Sequence, residues 1–501
     1  MTTRIFQSKA VPWIALVIAL GLGFAIRLYA LTAPPLDFHP TRQLRSAVIA
    51  RSFYYQIDPA VASELRDNAG ILASLEAYEP PILEALVAGT YYLVGGEHLW
   101  VVRIWNAIFW LIGGLALFAL TRRFASPYAA LLGLCFYLYL PFSVFATRSF
   151  QPDALMVVAI LLTAYALVRW VETPTWKWTV LMGVFGGLAV LFKPVAAPFI
   201  GGLLCAAPLL LSSPRDIFRQ PRFWLIVIIV AAPSAVYYLL LNAERSQDFY
   251  TYYTLSLSRY LLDHTFYSKW LAMIRGLMGN TIFMAALLGV VIAPPRFRTM
   301  LMGLWAGYVV LGLIFPYQYV SHDYYHLPLV ALVGVSLPVF LDYLIKRLSE
   351  QRWVWQVLSV GIFVFACGYS LWVARSVIYV NTGSLEPASW RNVGEAMAPN
   401  GATVGLVSDY GMRLRYYGGR MLTSVWPIVG ELNVAAYRGD DPMEYQAFFN
   451  DFTAGADYFL VTSYKELEEQ HQLKEILLTY AVYFEGNGFI IYDLNAPLQE
   501  N

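Results

Sequence analysis

The sequence predicts a polytopic α-helical membrane protein that carries a small α/β domain at its C-terminus. Of the residues, 58% are hydrophobic and only 13% are charged, whereas soluble domains carry roughly 25% charged residues. Apolar runs about 20 residues long, the length that crosses a bilayer as a helix, recur along the chain. The net charge of +1 gives no reason to expect nucleic-acid binding.

Eleven apolar runs precede the C-terminal region, with edges that sequence reading places to within a few residues. The first run is longer than the roughly 7–15 residues of a signal-peptide core, so we predict that it is retained as a helix. The runs cover residues 11–31, 99–120, 127–146, 154–170, 178–192, 195–211, 223–241, 277–293, 300–316, 327–344 and 354–374.

Basic residues indicate the orientation of these runs. They precede the first run and occupy the loop after every second run, which is one side of the membrane if the runs alternate. Cytoplasmic loops carry the excess of Lys and Arg, so we predict a bacterial inner-membrane protein with a cytoplasmic N-terminus and a periplasmic C-terminal domain. The residues are Arg4, Lys9, Arg122, Arg123, Lys177, Arg215, Arg219, Arg222, Arg296, Arg298, Lys346, Arg347 and Arg352.

The longest non-spanning segments fall on the outer side. The first outer loop, about 32–98, is amphipathic and predicts helices lying in the interface, one of them from Pro81 to about Leu93. After about Tyr379 the composition becomes that of a soluble domain, which predicts domains at 1–378 and 379–501. The predicted elements of the second domain are strands at Ala402–Ser408, Asp457–Thr462 and Phe489–Asp493 and a helix at Lys465–Leu478.

The first candidate functional residues come directly after the first apolar run. Asp37, His39 and Arg42 fall within six residues, between prolines that stop the helix from continuing. An acid, an imidazole and a guanidinium so close together predict a reactive corner at the outer surface. The alternative is that Asp37 is a loop or capping carboxylate satisfied by backbone amides.

Three further charged residues lie at the outer ends of apolar runs, each with a structural alternative. Asp153 is either functional or an acid favoured by the N-terminal dipole of its helix. Arg148 either binds phosphate or extends to the interface beside apolar surface. Lys193, before Pro194, either holds an anionic lipid headgroup or extends in the same way.

Two aromatic outer segments leave their roles open. His322 and His326 are four residues apart, which places them on one helix face. With no third ligand defined, a metal bound by His322, His326 or Asp37 is an open alternative. The tyrosine-rich segment 242–276, with Arg259 and His264, fits an interfacial belt better than a site.

Taken together, these residues resemble the GT-C superfamily of integral-membrane glycosyltransferases, in particular the glycosyltransferase family 39 group of protein O-mannosyltransferases and aminoarabinose transferases. The family usually carries Asp-Glu in the first outer loop, where this chain has Asp37 followed by Phe38-His39, and Glu79 replaces a basic or histidine residue. The matching elements are Asp37, Glu79-Pro80-Pro81-Ile82, Arg148 with Pro152-Asp153, Lys193-Pro194, and Tyr324 to Pro328.

The resemblance implies that a sugar is transferred, with inversion, from a polyprenyl-phosphate carrier to a lipid, glycan or protein acceptor at the outer face. It implies Asp37 as base or orienting acid, aided by His39 or Asp153. No cofactor is required, and a divalent metal ion is optional. The implied phosphate ligands are Arg148, Lys193, Arg259, Tyr324 and Tyr325, and the implied substrate contacts are Arg42, Glu79, His264 and His326.

Two other functional classes compete with an enzyme. A transporter or lipid-linked sugar flippase tends to place charges near the bilayer midplane, on broken helices in repeated halves. In this sequence the charges gather at the outer helix ends and no repeat is visible, which favours an enzyme. A non-catalytic assembly subunit would use the C-terminal domain as a docking surface.

Overall fold

The computed structural model describes residues 10–74, 78–210, 216–381, 383, 386–439 and 444–498. The described residues form two compact units. The first unit takes its residues from Met1–Leu31, Glu76–Leu83 and Trp100–Asn381, and the second from Thr32–Leu75, Glu84–Leu99 and Thr382–Asn501. Arg4, Lys9 and Arg215, which contributed to the predicted orientation, lie outside the described residues.

The first unit is helical, and each predicted apolar run is helical over most of its described part. Its α-helices are Val11–Arg27, Trp100–Thr121, Pro127–Tyr139, Pro141–Ala146, Asp153–Glu172, Trp176–Phe192, Ala197–Leu209, Pro221–Ala235, Ala243–Tyr250, His264–Met278, Asn280–Ile292, Pro295–Ile314, Pro316–Ser321, Leu327–Ser349 and Trp353–Val380. The segment 242–276, predicted as a loop, is therefore mostly helical.

Helix length and composition do not confirm eleven crossings. Among the described residues, six helices are long and apolar enough to span a membrane, or seven if His264–Met278 and Asn280–Ile292, bent by 99°, form one span. Five other apolar helices have only 10–17 residues. Prolines account for part of this shortening, since Pro141 divides the predicted run 127–146 and Pro194 follows the end of Trp176–Phe192.

Glycines allow close contact between the helices Ala197–Leu209 and Pro295–Ile314. A Cβ added at Gly202 would overlap the carbonyl oxygen of Gly303, and one added at Gly307 would lie 2.7 Å from the carbonyl oxygen of Pro198. Small residues at such crossings let two backbones approach, which is a main source of helix association in membranes.

We therefore expect Gly202→Val to destabilise the protein by about 3 kcal/mol, the upper end of the overpacking range, because backbone cannot move aside as a side chain can. Gly201→Val is the matched control, since a Cβ at Gly201 meets nothing within 4 Å. Thermal unfolding of the purified protein in detergent measures both. Equal midpoints for the two variants would contradict the close crossing.

The second unit contains helices from the first outer segment and an α/β domain. Its helices are Pro40–Ile57, Ser63–Leu72, most of Ile82–Val94, Glu386–Ala396, Val429–Arg438, Tyr445–Phe452, Tyr464–Glu469 and His471–Leu477. Its strands are β1 (Thr403–Leu406), β2 (Ser424–Val425), β3 (Tyr458–Val461), β4 (Tyr480–Gly486) and β5 (Phe489–Pro497). The three predicted strands are confirmed. The short β2 and the exposed edge strand β4 were not predicted, although the Tyr-, Val- and Phe-rich run of β4 before the turn at 486–488 is a strand signal.

The five strands form one sheet in the order β2-β1-β3-β5-β4. β1 pairs in parallel with β2 and β3, while β5 pairs antiparallel with β3 and β4. The core on one face surrounds Trp426, which is fully buried. Its indole N–H donates to Gln470 Oε1 at 2.8 Å, and Gln470 has the non-helical φ/ψ of −107° and 70° that divides the predicted helix Lys465–Leu478.

The first outer segment packs on the α/β domain through a partly buried charge cluster. Arg51 Nε lies 2.8 Å from Glu97 Oε2, and its guanidinium sits 3.9 Å from the Tyr416 ring centroid. The Tyr416 hydroxyl donates to the other Glu97 oxygen at 2.5 Å. Burial acts to lower the pKa of Arg51, but Tyr416 and Glu97 outweigh it and raise that pKa. The cluster therefore keeps Arg51 charged and fixes the helix Pro40–Ile57 to the C-terminal domain.

Candidate functional site

The predicted reactive corner is an ordered turn at the start of the helix Pro40–Ile57. Asp37 Oδ1 accepts hydrogen bonds from the backbone N–H of Phe38 at 3.1 Å and from Gln43 Nε2 at 3.0 Å. Gln43 Nε2 also donates to the Phe38 carbonyl at 2.7 Å and is buried. Gln43 thus positions Asp37, a role that the sequence analysis missed because an amide on a helix carries no distinctive signal.

His39 introduces backbone strain at the same corner. Its φ of +48° and ψ of 68° are left-handed, a conformation that costs a non-glycine residue free energy and that concentrates at functional sites. The imidazole packs edge-on against the Phe38 ring, with centroids 4.7 Å apart. Arg42 is half-buried in the first turn of the helix that follows.

The corner is tied to the C-terminal domain of the same unit through Asp409. The Thr41 hydroxyl donates to Asp409 Oδ1 at 3.2 Å. Burial raises the pKa of Asp409, while the Thr41 hydrogen bond and the charge of His39 act to lower it. Asp409 is itself left-handed, with φ of +54°. The hydrogen bond between Thr41 and Asp409 therefore connects the segment that holds Asp37 to the loop after β1.

That loop also lines a cavity of about 220 Å³ in the second unit. The cavity lies at the carboxyl ends of β1 and β3, where a sheet of this topology forms a crevice. Asp409, Glu431 and Glu466 line it together with Tyr410. Three carboxylates disfavour a phosphate here, so this cavity is a poor candidate for the donor phosphate.

In the first unit, Asp153 and Lys193 form a buried ion pair. Lys193 Nζ lies 2.8 Å from Asp153 Oδ1, and the two side chains are only 4% and 5% exposed. Asp153 begins the helix Asp153–Glu172, and Lys193 follows the last residue of Trp176–Phe192. Pro194 forces the chain to turn there, which brings residues 40 positions apart into contact.

Two tyrosines also contact Lys193. Its ammonium lies 4.6 Å from the ring centroid of Tyr324 and 5.2 Å from that of Tyr325, at cation–π distance. Both tyrosines lie in the 3₁₀ turn Asp323–His326, directly before the helix Leu327–Ser349. The structure thus brings together four of the residues predicted for the site: Asp153, Lys193, Tyr324 and Tyr325.

Some buried polar atoms of Asp153 and of the nearby Gln151 make no hydrogen bond to the residues that the structure describes. They are Asp153 Oδ2 and both side-chain amide atoms of Gln151. Gln151 is only 2% exposed. Because unsatisfied buried polar groups are costly, they indicate a place for a bound group or water. Gln151 was not predicted as a site residue, although it lies two positions before Asp153.

Arg148 has a structural role in this arrangement. Its guanidinium is almost completely buried and donates to the carbonyls of Arg27 at 2.6 Å, Tyr29 at 2.5 Å and Ala30 at 3.1 Å. These carbonyls lie at and just beyond the end of the helix Val11–Arg27, where no helical donor reaches them. The phosphate role predicted for Arg148 stays a prediction, and the contacts that are seen fix the end of the first helix.

His326 is held inside an aromatic cluster. Because Nε2 bonds the Tyr319 carbonyl at 2.9 Å, it carries the proton, and Nδ1 accepts from the Tyr308 hydroxyl at 2.8 Å. Trp270 Nε1 donates to the same hydroxyl at 2.9 Å. With both nitrogens bonded and the side chain fully buried, His326 is a core residue in this structure, and its predicted substrate contact stays a prediction.

The remaining candidates lie in less enclosed places. Arg259 and His264 are exposed, and Glu79 is half-buried just before the helix Ile82–Val94. His322 Nδ1 contacts the Ser321 hydroxyl at 2.7 Å. In the described part of the chain, no group of three or more His, Cys, Asp or Glu side chains is arranged to hold a metal ion. The described residues therefore provide no set of ligands for the metal ion that the sequence left as an alternative.

Known proteins share this architecture. Residues 78–239 match the family model described as dolichyl-phosphate-mannose-protein mannosyltransferase. The structure is similar to ArnT from Cupriavidus metallidurans bound to undecaprenyl phosphate, with a TM-score of 0.58 and 16% identity over 97% of this chain and 98% of ArnT. A comparison with curated protein sequences finds no match.

Two further solved structures, with lower sequence identity to this chain, have a similar fold. The archaeal oligosaccharyltransferase AglB from Archaeoglobus fulgidus, in complex with an inhibitory peptide and a dolichol-phosphate, gives a TM-score of 0.58 at 12% identity over 97% of this chain and 74% of AglB. The arabinofuranosyltransferase AftD from Mycobacteria gives 0.50 at 13% identity over 91% of this chain and 37% of AftD. The resemblance to GT-C glycosyltransferases is confirmed, and the chain is a multi-pass membrane protein with their fold.

Proposed function

Starting from this GT-C fold, we propose that the protein is a membrane glycosyltransferase that moves a sugar from a polyprenyl-phosphate carrier to an acceptor hydroxyl. The observation that carries the proposal is the buried Asp153–Lys193 pair with its partnerless polar neighbours. ArnT, which the chain resembles over almost its whole length, was crystallised with undecaprenyl phosphate. A carrier of this kind needs a cationic group for its phosphate and apolar surface for its tail, and the first unit offers both.

In the proposed reaction the acceptor oxygen bonds to the anomeric carbon while the bond from that carbon to the phosphate oxygen breaks. Attack from the opposite face inverts the anomeric centre. Asp37 takes the acceptor proton, with His39 or Asp153 assisting. The electron pair of the broken bond stays on the polyprenyl phosphate, whose added negative charge Lys193 neutralises.

The other proposed roles follow the chemistry of each side chain. Tyr324 and Tyr325 donate hydrogen bonds to the phosphate, and Arg148 and Arg259 add positive charge. Arg42, Glu79, His264 and His326 contact the sugar or the acceptor, which is a lipid, glycan or protein. Because one phosphate carries less charge than a diphosphate, we propose that a divalent metal is not required.

We further propose eleven crossings, with domains at 1–378 and 379–501 and the second domain in the periplasm. The basic residues of alternate loops support this arrangement. In intact spheroplasts, a membrane-impermeant thiol reagent should label a cysteine introduced at the exposed Lys465 and leave one at Arg296 unlabelled. The reverse labelling pattern would contradict this topology and indicate the opposite orientation.

A transfer assay tests the function. The protein, reconstituted in nanodiscs with a panel of undecaprenyl-phosphate sugars and a cell-envelope extract as acceptor, should release undecaprenyl phosphate together with a glycosylated product, detected by mass spectrometry. In proteoliposomes, movement of the donor between leaflets without release would instead support a flippase. If the protein neither binds nor consumes any donor in the panel, the proposal fails.

A further inference from the structure

A basic groove lies at one end of the first unit, at the opposite end of the helix Asp153–Glu172 from Asp153. It encloses about 360 Å³ and is lined by Ala119, Arg122, Arg123, Tyr165 and Glu172. The helix Trp100–Thr121 ends beside it. None of its residues belongs to the proposed glycosyl-transfer site.

The groove carries more positive charge than its own side chains neutralise. Arg123 Nε donates to Glu172 Oε1 at 2.7 Å, its Nη2 contacts Glu172 Oε2, and Arg169 Nε lies 3.6 Å from Glu172 Oε2. Arg122 and Arg123 line the groove with one carboxylate, Glu172, and Arg169 adds a third guanidinium beside that carboxylate. The four side chains together carry an excess of two positive charges at the end of a membrane helix.

Arg122 is the cation that has no anion. Its guanidinium sits 4.5 Å from the ring centroid of Trp13 and 5.6 Å from that of Phe118. Among the described residues it makes no hydrogen bond and no ion pair. The two rings hold the guanidinium in place by cation–π contact while leaving its N–H donors unsaturated. An arginine held in this way is prepared for a ligand with several acceptor oxygens.

Neighbouring residues place the groove at the depth of lipid headgroups. The guanidinium of Arg169 lies 4.9 Å from the Trp178 ring centroid, and that of Arg222 lies 5.0 Å from the Trp176 centroid. Tryptophans with basic residues at helix ends are typical of the membrane–water interface. Basic pockets between helix ends at that depth bind the phosphates of anionic lipids.

We propose that this groove is a binding site for the phosphate-bearing headgroup of an anionic phospholipid. The phosphate oxygens accept from Arg122, and the excess charge excludes zwitterionic lipids, whose ammonium group Arg122 and Arg123 repel. The inference does not rest on glycosyl transfer. It requires only that the unit lies in a membrane.

The test uses the full-length protein in lipid-free detergent, titrated with cardiolipin, phosphatidylglycerol, phosphatidylcholine or inorganic phosphate and followed by native mass spectrometry. We expect the two anionic lipids to bind in preference to phosphatidylcholine. Arg122→Gln should weaken that binding about fivefold, the effect of about 1 kcal/mol per basic residue near a lipid surface. Among the described residues the Arg122 guanidinium makes only cation–π contacts, with Trp13 and Phe118, so the variant should change its thermal midpoint by no more than a few degrees.

Arg347→Gln is the control, since Arg347 is exposed at another helix end and pairs only loosely with Glu350, at 3.8 Å. Retained binding in this variant beside the loss in Arg122→Gln supports the site. Equal losses in both, equal affinity for phosphatidylcholine, or saturation by inorganic phosphate without lipid would each overturn it.

Discussion

Asp37→Asn is expected to lower the rate of sugar transfer by at least about 100-fold, the lower end of what a general base contributes. The hydrogen bonds of Asp37 allow this substitution to remove the base without removing the contacts around it. Asp37 Oδ1 accepts from the Phe38 N–H and from Gln43 Nε2, and an asparagine oxygen accepts the same two bonds. The corner therefore keeps these contacts while the group that takes the proton is lost.

The rate is measured with the reconstituted transfer assay, and cell-envelope glycolipids and glycans are compared by mass spectrometry in cells that carry each variant. Asp67→Asn is the matched control, because Asp67 lies in the same outer segment on the exposed surface of the helix Ser63–Leu72. An unchanged sugar pattern in Asp37→Asn at normal expression would favour a non-catalytic subunit.

Lys193→Met is expected to destabilise the protein by about 3–5 kcal/mol, because it leaves the buried Asp153 carboxylate without its counter-charge. The double variant Asp153→Asn/Lys193→Met should recover most of that loss, since it removes both charges. Thermal unfolding in detergent follows the stability. Lys465→Met is the control: the Lys465–Glu469 pair is 89% and 46% exposed, and such pairs contribute about 0–1 kcal/mol.

The same variants separate stability from donor binding. If Lys193 binds the carrier phosphate, the double variant regains its thermal midpoint but does not regain affinity for undecaprenyl phosphate. A double variant that recovers both properties would show that the pair is structural only. A stable Lys193→Met protein would contradict the burial on which both expectations depend.

The elements that were predicted correctly depend on local patterns. Continuous apolar runs predict helices, and the short apolar runs around Val404 and Phe459 predict buried strands. The number of membrane crossings is harder to predict from local patterns, because it depends on the length of each helix. Local features change that length: Pro141, Pro194 and the bend at Gly279, where φ is +79°.

The candidate site was predicted in its residue types and only partly in its contacts. Asp153 and Lys193 were singled out separately, each with a structural alternative, and nothing in the sequence indicates that they pair across 40 residues. Arg148 has the same charge as Lys193 and also lies at an outer helix end, yet its Nη1 and Nη2 donate to main-chain carbonyls. The difference is geometric: the end of the first helix lies within its reach.

The sequence by itself determined the membrane class, the α/β domain, the resemblance to GT-C glycosyltransferases and the set of charged residues at helix ends. These follow from composition, periodicity and short motifs, which are local properties of the chain. The tertiary structure decided which of those charges are neutralised. It paired Lys193 with Asp153, enclosed His326 among tyrosines and, within the described part of the chain, gave Arg122 aromatic rings rather than an anion, because burial and hydrogen bonding depend on neighbours that are distant in the sequence.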